Sequence, residues 1–194
     1  MTTRIAIIQG HPDPQGHHFG HALAEAYARG AAEANHHVRT IDVATLEFPV
    51  LRTQQDFEND TPPDAIRHAQ DVIGWADHLV IVFPLWLGTM PALLKAFLEQ
   101  VLRPGFATSK MEPGKPWTTR LKGKSARVVV TMGMPPLVYR WYYGAHGVKV
   151  LERNILNFCG IRPVRRSLIG TAGGANAVRQ KWLRTMHAFG REGR

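Results

Sequence analysis

The hydrophobic pattern changes twice between residues 79 and 95. Leu79-Val80-Ile81-Val82-Phe83 runs apolar without alternation, Pro84 interrupts it, and Pro91-Ala92-Leu93-Leu94-Lys95 opens a new segment. An unalternating apolar run predicts a central parallel strand covered on both faces. Pro84 ends it, because a residue without an N–H cannot continue a central ladder. Pro91, with φ preset for a first helical turn, predicts a helix to about residue 102. The six residues between the prolines form a loop at the strand's carboxyl end, where open α/β sheets bind ligands.

The rest of the chain yields to the same reading. Arg4-Ile5-Ala6-Ile7-Ile8-Gln9, residues 126–131 and residues 163–169 predict strands. Residues 37–43 alternate more and predict a strand nearer an edge. Phe19, Leu23, Ala26, Tyr27, Gly30, Ala31 and Ala34 form one stripe of a helix over 19–35. Asp64 is placed to cap a helix to about residue 76, with Ile66, Ala69, Val72 and Ile73 inward. Further helices are expected over 148–158 and 175–189. Residues 44–64 and 103–125 lack periodicity and predict long loops, a length often tied to function. Strand and helix alternate five times with no repeat and no linker. This predicts a single α/β domain over 1–194, a doubly wound five-stranded parallel sheet of order 2-1-3-4-5 with helices on both faces. Right-handed crossovers bring the loops after strands one, three and four to one rim.

Composition narrows the class. At 194 residues, 44% hydrophobic and 20% charged, the chain suits one soluble globular domain. No apolar run is long enough to span a bilayer, and a strand-like run begins where a signal peptide would stand. Cys159 is the single cysteine, so internal disulfides are excluded and the cytoplasm is the expected compartment. The net charge of +9 is uneven: six Lys/Arg face twelve Asp/Glu through residue 102, and eighteen face three after it. Such asymmetry suits an anionic membrane, a phosphate-bearing ligand, nucleic acid or a solvated surface without a partner. No nucleic-acid-binding motif is present, so nucleic acid is not expected.

Gly10-His11-Pro12-Asp13-Pro14-Gln15-Gly16 follows the first strand and cannot be helical. It carries neither the dinucleotide glycine fingerprint nor a P-loop. It does enter a helix N-terminus, whose free amides and dipole favour an anion, with His11, His17 and His18 around that position. These histidines are otherwise solvent-exposed loop residues, or His17 and His21, four apart, contribute to a metal site. No cysteine or second carboxylate pattern supports a metal, and none is expected. Trp86 is either a core side chain or a ligand wall, and its Pro-bracketed loop favours the wall. Thr131-Met132-Gly133-Met134 closes the fourth strand, where backbone amides can meet a heteroaromatic edge. Tyr139, Trp141, Tyr142, Tyr143 and His146 form a pocket wall, a dimer surface or a packed loop.

These segments together resemble the flavodoxin-like NAD(P)H dehydrogenase (quinone) family, which includes DT-diaphorase, the drug-activity-modulator quinone reductases and the ancillary oxidoreductases of potassium-efflux systems. Gly10-His11-Pro12-x-Pro14 with His18-Phe19-Gly20, Phe83-Pro84-Leu85-Trp86 through Lys95, and Pro104-Gly105-Phe106-Ala107 carry the likeness. So do Thr131-Met132-Gly133, Gly144-Ala145-His146-Gly147 and Phe158-Cys159-Gly160. The resemblance implies a noncovalent flavin, with its phosphate against His11 and the His18-Phe19-Gly20 turn. The ring would lie against Pro84, Leu85, Trp86, Leu87 and Gly88 on one side and Thr131, Met132, Gly133 and Met134 on the other. It also implies a homodimer, and a tyrosine and a histidine, Tyr139 and His146, near the flavin's carbonyl edge. The family's usual Ser-Phe-Asn turn is His18-Phe19-Gly20 here, and Leu87 and Gly88 stand where the family often carries an aromatic.

The expected activity is two-electron hydride transfer from NAD(P)H to a quinone-like acceptor by a ping-pong cycle. FMN is the expected cofactor because no separate adenylate-binding feature is visible, with FAD the close alternative. Two other classes remain: a single-electron flavodoxin-type carrier, against which the basic second half counts, and a flavoprotein partner of a membrane transporter, with the basic surface against lipid or a cytosolic channel domain.

Overall fold

In the computed structural model, which describes residues 2–59, 61–110, 114, 116–170 and 176–194, the apolar run at mid-chain becomes the central strand. The strands are β1 (Arg4–Gln9), β2 (His37–Asp42), β3 (His78–Pro84), β4 (Ser125–Thr131) and β5 (Val164–Ile169). They form one sheet in the order β2-β1-β3-β4-β5, every pair parallel. β2 is an edge strand, as its alternation predicts.

Period-two geometry divides each buried strand between two layers. Ala6, Ile8, Leu79, Ile81, Phe83, Val128 and Val130 face a core completed by α3 (Asp64–Trp75) and α4 (Ala92–Val101). Ile5, Ile7, Val80, Val82, Val129 and Ile169 face α1 (Phe19–Glu33) and α7 (Asn176–Glu192). The stripe read for α1 is the buried one, from Leu23 through Tyr27 to Ala31. α1 and α7 cross with almost no side chain between them. A Cβ at Gly30 would lie 2.0 Å from the His187 carbonyl oxygen, and one at Gly190 2.0 Å from that of Tyr27. His78 begins β3 wholly inside the fold. Its Nδ1 lies 2.7 Å from Ser125 Oγ, while Nε2 has no partner, and burial lowers its pKa to about 4.

Four local expectations need correction. Residues 44–64 contain a short helix, α2 (Gln54–Glu58), closed by a capping box between Thr53 and Asp56. None of its residues is buried, so it leaves no hydrophobic stripe to read. Asp64 does not cap α3: Pro63 precedes the helix and Asp64 is its first residue, paired with Arg67. Pro91 is likewise the residue before α4 rather than within it, with extended ψ of 148°. The aromatic segment after β4 is not a bare loop, because Pro136–Trp141 forms α5 with Pro136 in the first turn.

The helix expected over 148–158 begins at His146 as α6 (His146–Lys149) and continues to Leu156. Its end is wider than an α-helix: the Asn157 amide donates to the Glu152 carbonyl, five residues back. Two small bridges, Pro104–Thr108 and Thr108–Thr119, tie the described part of the 103–125 connection. The start expected for the last helix, Ala175, lies outside the described residues. Among those residues no helix is long and apolar enough to cross a membrane.

Candidate functional site

The parallel register places the carboxyl ends of β1, β3 and β4 side by side, with Gln9 opposite Val82 and Pro84 opposite Thr131. The first of these loops leaves β1 through Gly10, whose amide donates to the Val82 carbonyl at 2.7 Å. A Cβ on Gly10 would come within 2.6 Å of Leu94, so glycine lets α4 approach. His11 follows, nearly buried, its amide held by Gln9 Oε1 at 3.2 Å.

His11 and His18 are brought together. Their rings stack with centroids 3.8 Å apart and planes 15° from parallel, and the edge of Trp86 meets His11 at 6.1 Å. Asp13 organises the pair: its amide donates to His11 Nδ1 at 3.1 Å, and its carboxylate lies 2.6 Å from His18 Nε2. An Nδ1 that accepts puts the neutral ring's proton on Nε2, leaving His11 a donor there. Burial lowers the His11 pKa, reinforced by the charges of His18 and His21.

His18 precedes α1, which starts with no side-chain cap and no acidic residue in its first turn. Phe19 is half-buried under the Arg179 guanidinium, and Gly20 is buried. His17 is exposed. His21 has a place that sequence reasoning reached only as a metal pairing. Its ring lies 5.5 Å from His11, and both nitrogens are buried without a partner. With the unpaired Gln9 Nε2 they border a cavity of about 180 Å³ beside Thr40 and Asp42. No group of three or more metal-ligating side chains occurs among the described residues.

The loop between the prolines folds as a tight hairpin. The Trp86 and Thr89 amides donate to one another's carbonyls at 2.9 and 3.0 Å. Leu87 and Gly88 at its tip both take positive φ, 47° and 80°, the two-residue type I′ pattern. Glycine suits that position; leucine is strained in it by about 1–2 kcal/mol. The Leu87 side chain packs on nothing, and Trp86 is 50% exposed, so the core reading of this tryptophan fails.

The hairpin is clamped from behind by the aromatic segment. Tyr139 is fully buried, its hydroxyl donating to the Gly88 carbonyl at 3.0 Å and accepting the Val148 amide at 3.3 Å. Burial raises its pKa, so the phenol stays protonated. Gly147 packs directly on the hairpin: a Cβ there would sit 2.3 Å from the Gly88 oxygen. Sequence reasoning gave no site role to Gln9 and Asp13, whose contacts with His11 and His18 are short-range but depend on the shape of the loop, and read Gly147 only within a family motif, because its contact with Gly88 forms only in the tertiary fold.

Of the fourth-strand loop, Thr131 and Met132 are buried and bound into the sheet. The Thr131 carbonyl accepts the Leu85 amide, and the Met132 amide donates to Ile169, both at 2.8 Å. Gly133 is exposed with open space where a side chain would be, and Met134 is half-buried against the core. His146 is exposed, with its ring packed over Gly144. One rim therefore holds imidazole and amide donors suited to an anion, next to an exposed apolar hairpin and an open glycine suited to a flat ring.

This fold matches known proteins. The chain belongs to the flavodoxin-like fold family, whose model matches residues 3–189. It is 32% identical over 168 residues to an uncharacterised NAD(P)H oxidoreductase of Haemophilus influenzae, covering 84% of this chain and 82% of that protein. It is 31% identical over 171 residues to the ribosyldihydronicotinamide dehydrogenase-like protein traD of Penicillium crustosum, covering 75% of this chain but 61% of that one. Among solved structures, an NAD(P)H:quinone oxidoreductase from Methanothermobacter marburgensis superposes with a TM-score of 0.84 over the whole of both chains at 22% identity. An FMN-dependent NADH-azoreductase from Bacillus anthracis, in complex with FMN, has a TM-score of 0.74 at 17% identity, covering 98% of this chain and 99% of that one.

Proposed function

We propose that this protein is a cytoplasmic flavin-dependent NAD(P)H oxidoreductase that delivers two electrons to a quinone-like acceptor. The observation that carries the reading is the juxtaposition at one rim of the His11–His18 stack, the uncapped start of α1 and the Trp86–Thr89 hairpin. The names and cofactor of the compared proteins support it.

The residues present fit a flavin mononucleotide. His11 Nε2, His17, His18 and the amides of Phe19 and Gly20 would hold its phosphate, a dianion at a helix start. Pro84, Leu85, Trp86, Leu87 and Gly88 would wall one side of the ring and Thr131, Met132, Gly133 and Met134 the other. A bound flavin would supply the two-electron redox chemistry that links NAD(P)H to the acceptor in two half-reactions. The protein contributes placement and electrostatics. Tyr139 positions the hairpin by holding the Gly88 carbonyl, and the exposed His146 is free to donate a proton or hydrogen bond where negative charge develops. The exposed aromatics Trp141, Tyr142 and Tyr143 give the rim an apolar border that a second copy of the chain would cover in a homodimer.

Purified protein should be yellow, release FMN on denaturation as judged by mass, and oxidise NAD(P)H rapidly when a quinone is added. A colourless protein that takes up neither FMN nor FAD would overturn the reading. A flavoprotein that accepts only single electrons, without NAD(P)H oxidation, would leave the cofactor and remove the activity.

A further inference from the structure

Between α1 and the ends of β1 and β2 lies a cavity of about 180 Å³, on the β2 side of the imidazole stack. Its buried end is Gln9, the last residue of β1 and only 4% exposed. Thr40 and Glu25, both exposed, line its mouth. Asp42, the last residue of β2, and His21, in the first turn of α1, complete its polar lining.

The polar atoms of this lining decide what it can hold. Gln9 Oε1 accepts the His11 amide at 3.2 Å, which fixes the side chain's orientation and leaves Nε2 buried without an acceptor. Both His21 nitrogens are buried and unpaired as well. Burial lowers the His21 pKa, so the neutral ring offers one donor and one acceptor. Asp42 gives one carboxylate oxygen to the Ala44 amide at 3.2 Å and keeps the other. Buried polar atoms without partners are costly, so a polar occupant is called for. The carboxylates of Asp42 and Glu25 repel an anion. A cation would leave the Gln9 donor facing another donor, and no group of three or more metal-ligating side chains occurs among the described residues. What remains is a neutral ligand that donates and accepts at several points, which is the chemistry of hydroxyl groups. Ala24 and Ala28, one turn apart on α1, supply an apolar wall for its carbon atoms.

We propose that this cavity binds the vicinal diol of a ribose, with Asp42 accepting from its hydroxyls, Gln9 Nε2 donating to one of them, and His21 and the Thr40 hydroxyl completing the set. Dinucleotide-binding α/β folds set an acidic side chain from beyond the first helix on the ribose hydroxyls. Asp42, on the strand that follows α1, takes that role here without the glycine fingerprint that accompanies it elsewhere. The volume would hold about six waters at liquid density, room for one sugar ring with its base outside. The site lies apart from the proposed ring walls and does not depend on the flavin reading.

Titration of the isotope-labelled protein with adenosine, followed by NMR at the Gln9 side-chain amide and the His21 ring, tests this. Saturable shifts are expected, with 2′-deoxyadenosine binding about tenfold more weakly for the lost charge-assisted hydrogen bond. Asp42→Asn keeps an oxygen for the Ala44 amide but loses the charge, and should weaken adenosine about tenfold. Thr40→Val, at an exposed position, should weaken it while leaving the fold intact. Asp71→Asn removes the same charge elsewhere and should bind like the wild type. With that discrimination in place, ADP-ribose binding more tightly than adenosine would assign the diol to a coenzyme and equal binding to a free nucleoside, either of which supports the proposal. No saturable shift would overturn it and leave the cavity to ordered water. Equal binding of adenosine and 2′-deoxyadenosine would also overturn it, as would displacement of adenosine by inorganic phosphate, which would put the ligand on the His11–His18 stack instead.

Discussion

The hydroxyl of Tyr139 offers a sharp test of how this site is held. Replacing Tyr139 with Phe keeps the ring, so no cavity forms. It removes one hydrogen bond to the Gly88 carbonyl and another from the Val148 amide. Gly88 is exposed and its carbonyl can turn to water; Val148 is fully buried and its amide cannot. An orphaned buried donor costs about 1–3 kcal/mol. Taking about 2 kcal/mol, the melting temperature of a chain this size should fall by about 4–8 °C. The measurement is thermal unfolding of cofactor-free protein followed by circular dichroism, wild type against Y139F. A loosened hairpin should also bind FMN more weakly. An unchanged melting temperature would refute the tether. If kcat alone then fell, the hydroxyl would act on the bound ring directly, as the family resemblance implies.

Other consequences of the geometry can be measured alongside. Leu87 holds a positive φ with its side chain in solvent, so Leu87→Asn should stabilise the cofactor-free protein by about 1 kcal/mol in urea unfolding; a loss of stability would show that the leucine packs on something. Gly147→Ala puts a methyl against the Gly88 carbonyl and should displace the hairpin, costing about 1–3 kcal/mol and cutting FMN retention on gel filtration; full retention would deny the close packing. His78 has a folded pKa near 4, below the ordinary value for histidine, so the folded state binds fewer protons between those values. Its contribution is complete above about pH 6.5 and is lost as pH falls towards 4, on the order of 3 kcal/mol. Urea unfolding at pH 7 and pH 4.5 should show a smaller acid loss in His78→Gln than in the wild type, and an equal loss would refute the assignment.

The layer pattern was legible because hydrophobic burial writes itself into the sequence. β3 shows as an unbroken apolar run, and the α1 stripe marks the face that meets the sheet. The parallel order follows from five alternations and the handedness of crossovers. What stayed hidden lacks that signature. α2 buries nothing, and its Thr53–Asp56 box lies in a stretch that reads as loop. The clamp on the hairpin joins Tyr139, Gly147 and Gly88 across nearly sixty positions, through a hydroxyl and a backbone contact that no local pattern encodes. His21 could be found only as a histidine at helical spacing; that it faces the His11 ring depends on how α1 sits on β1. That Trp86 stands outside the core was readable, because prolines on both sides deny it a place in strand or helix.

The glycine crossing of α1 and α7 bears on the order in which the protein can be made. The Tyr27–Gly30 surface finds its partner at His187–Gly190, and a hydrogen bond joins His36 to Arg191 across 155 positions. At ordinary rates of synthesis that separation takes on the order of ten to thirty seconds. Throughout it one face of the sheet has half its cover, and apolar α1 surface stays exposed to whatever else is in solution. Completion of this layer is therefore a late folding event, set by translation rather than by local helix formation, and the nascent chain is most open to chaperones and aggregation on the α1 side.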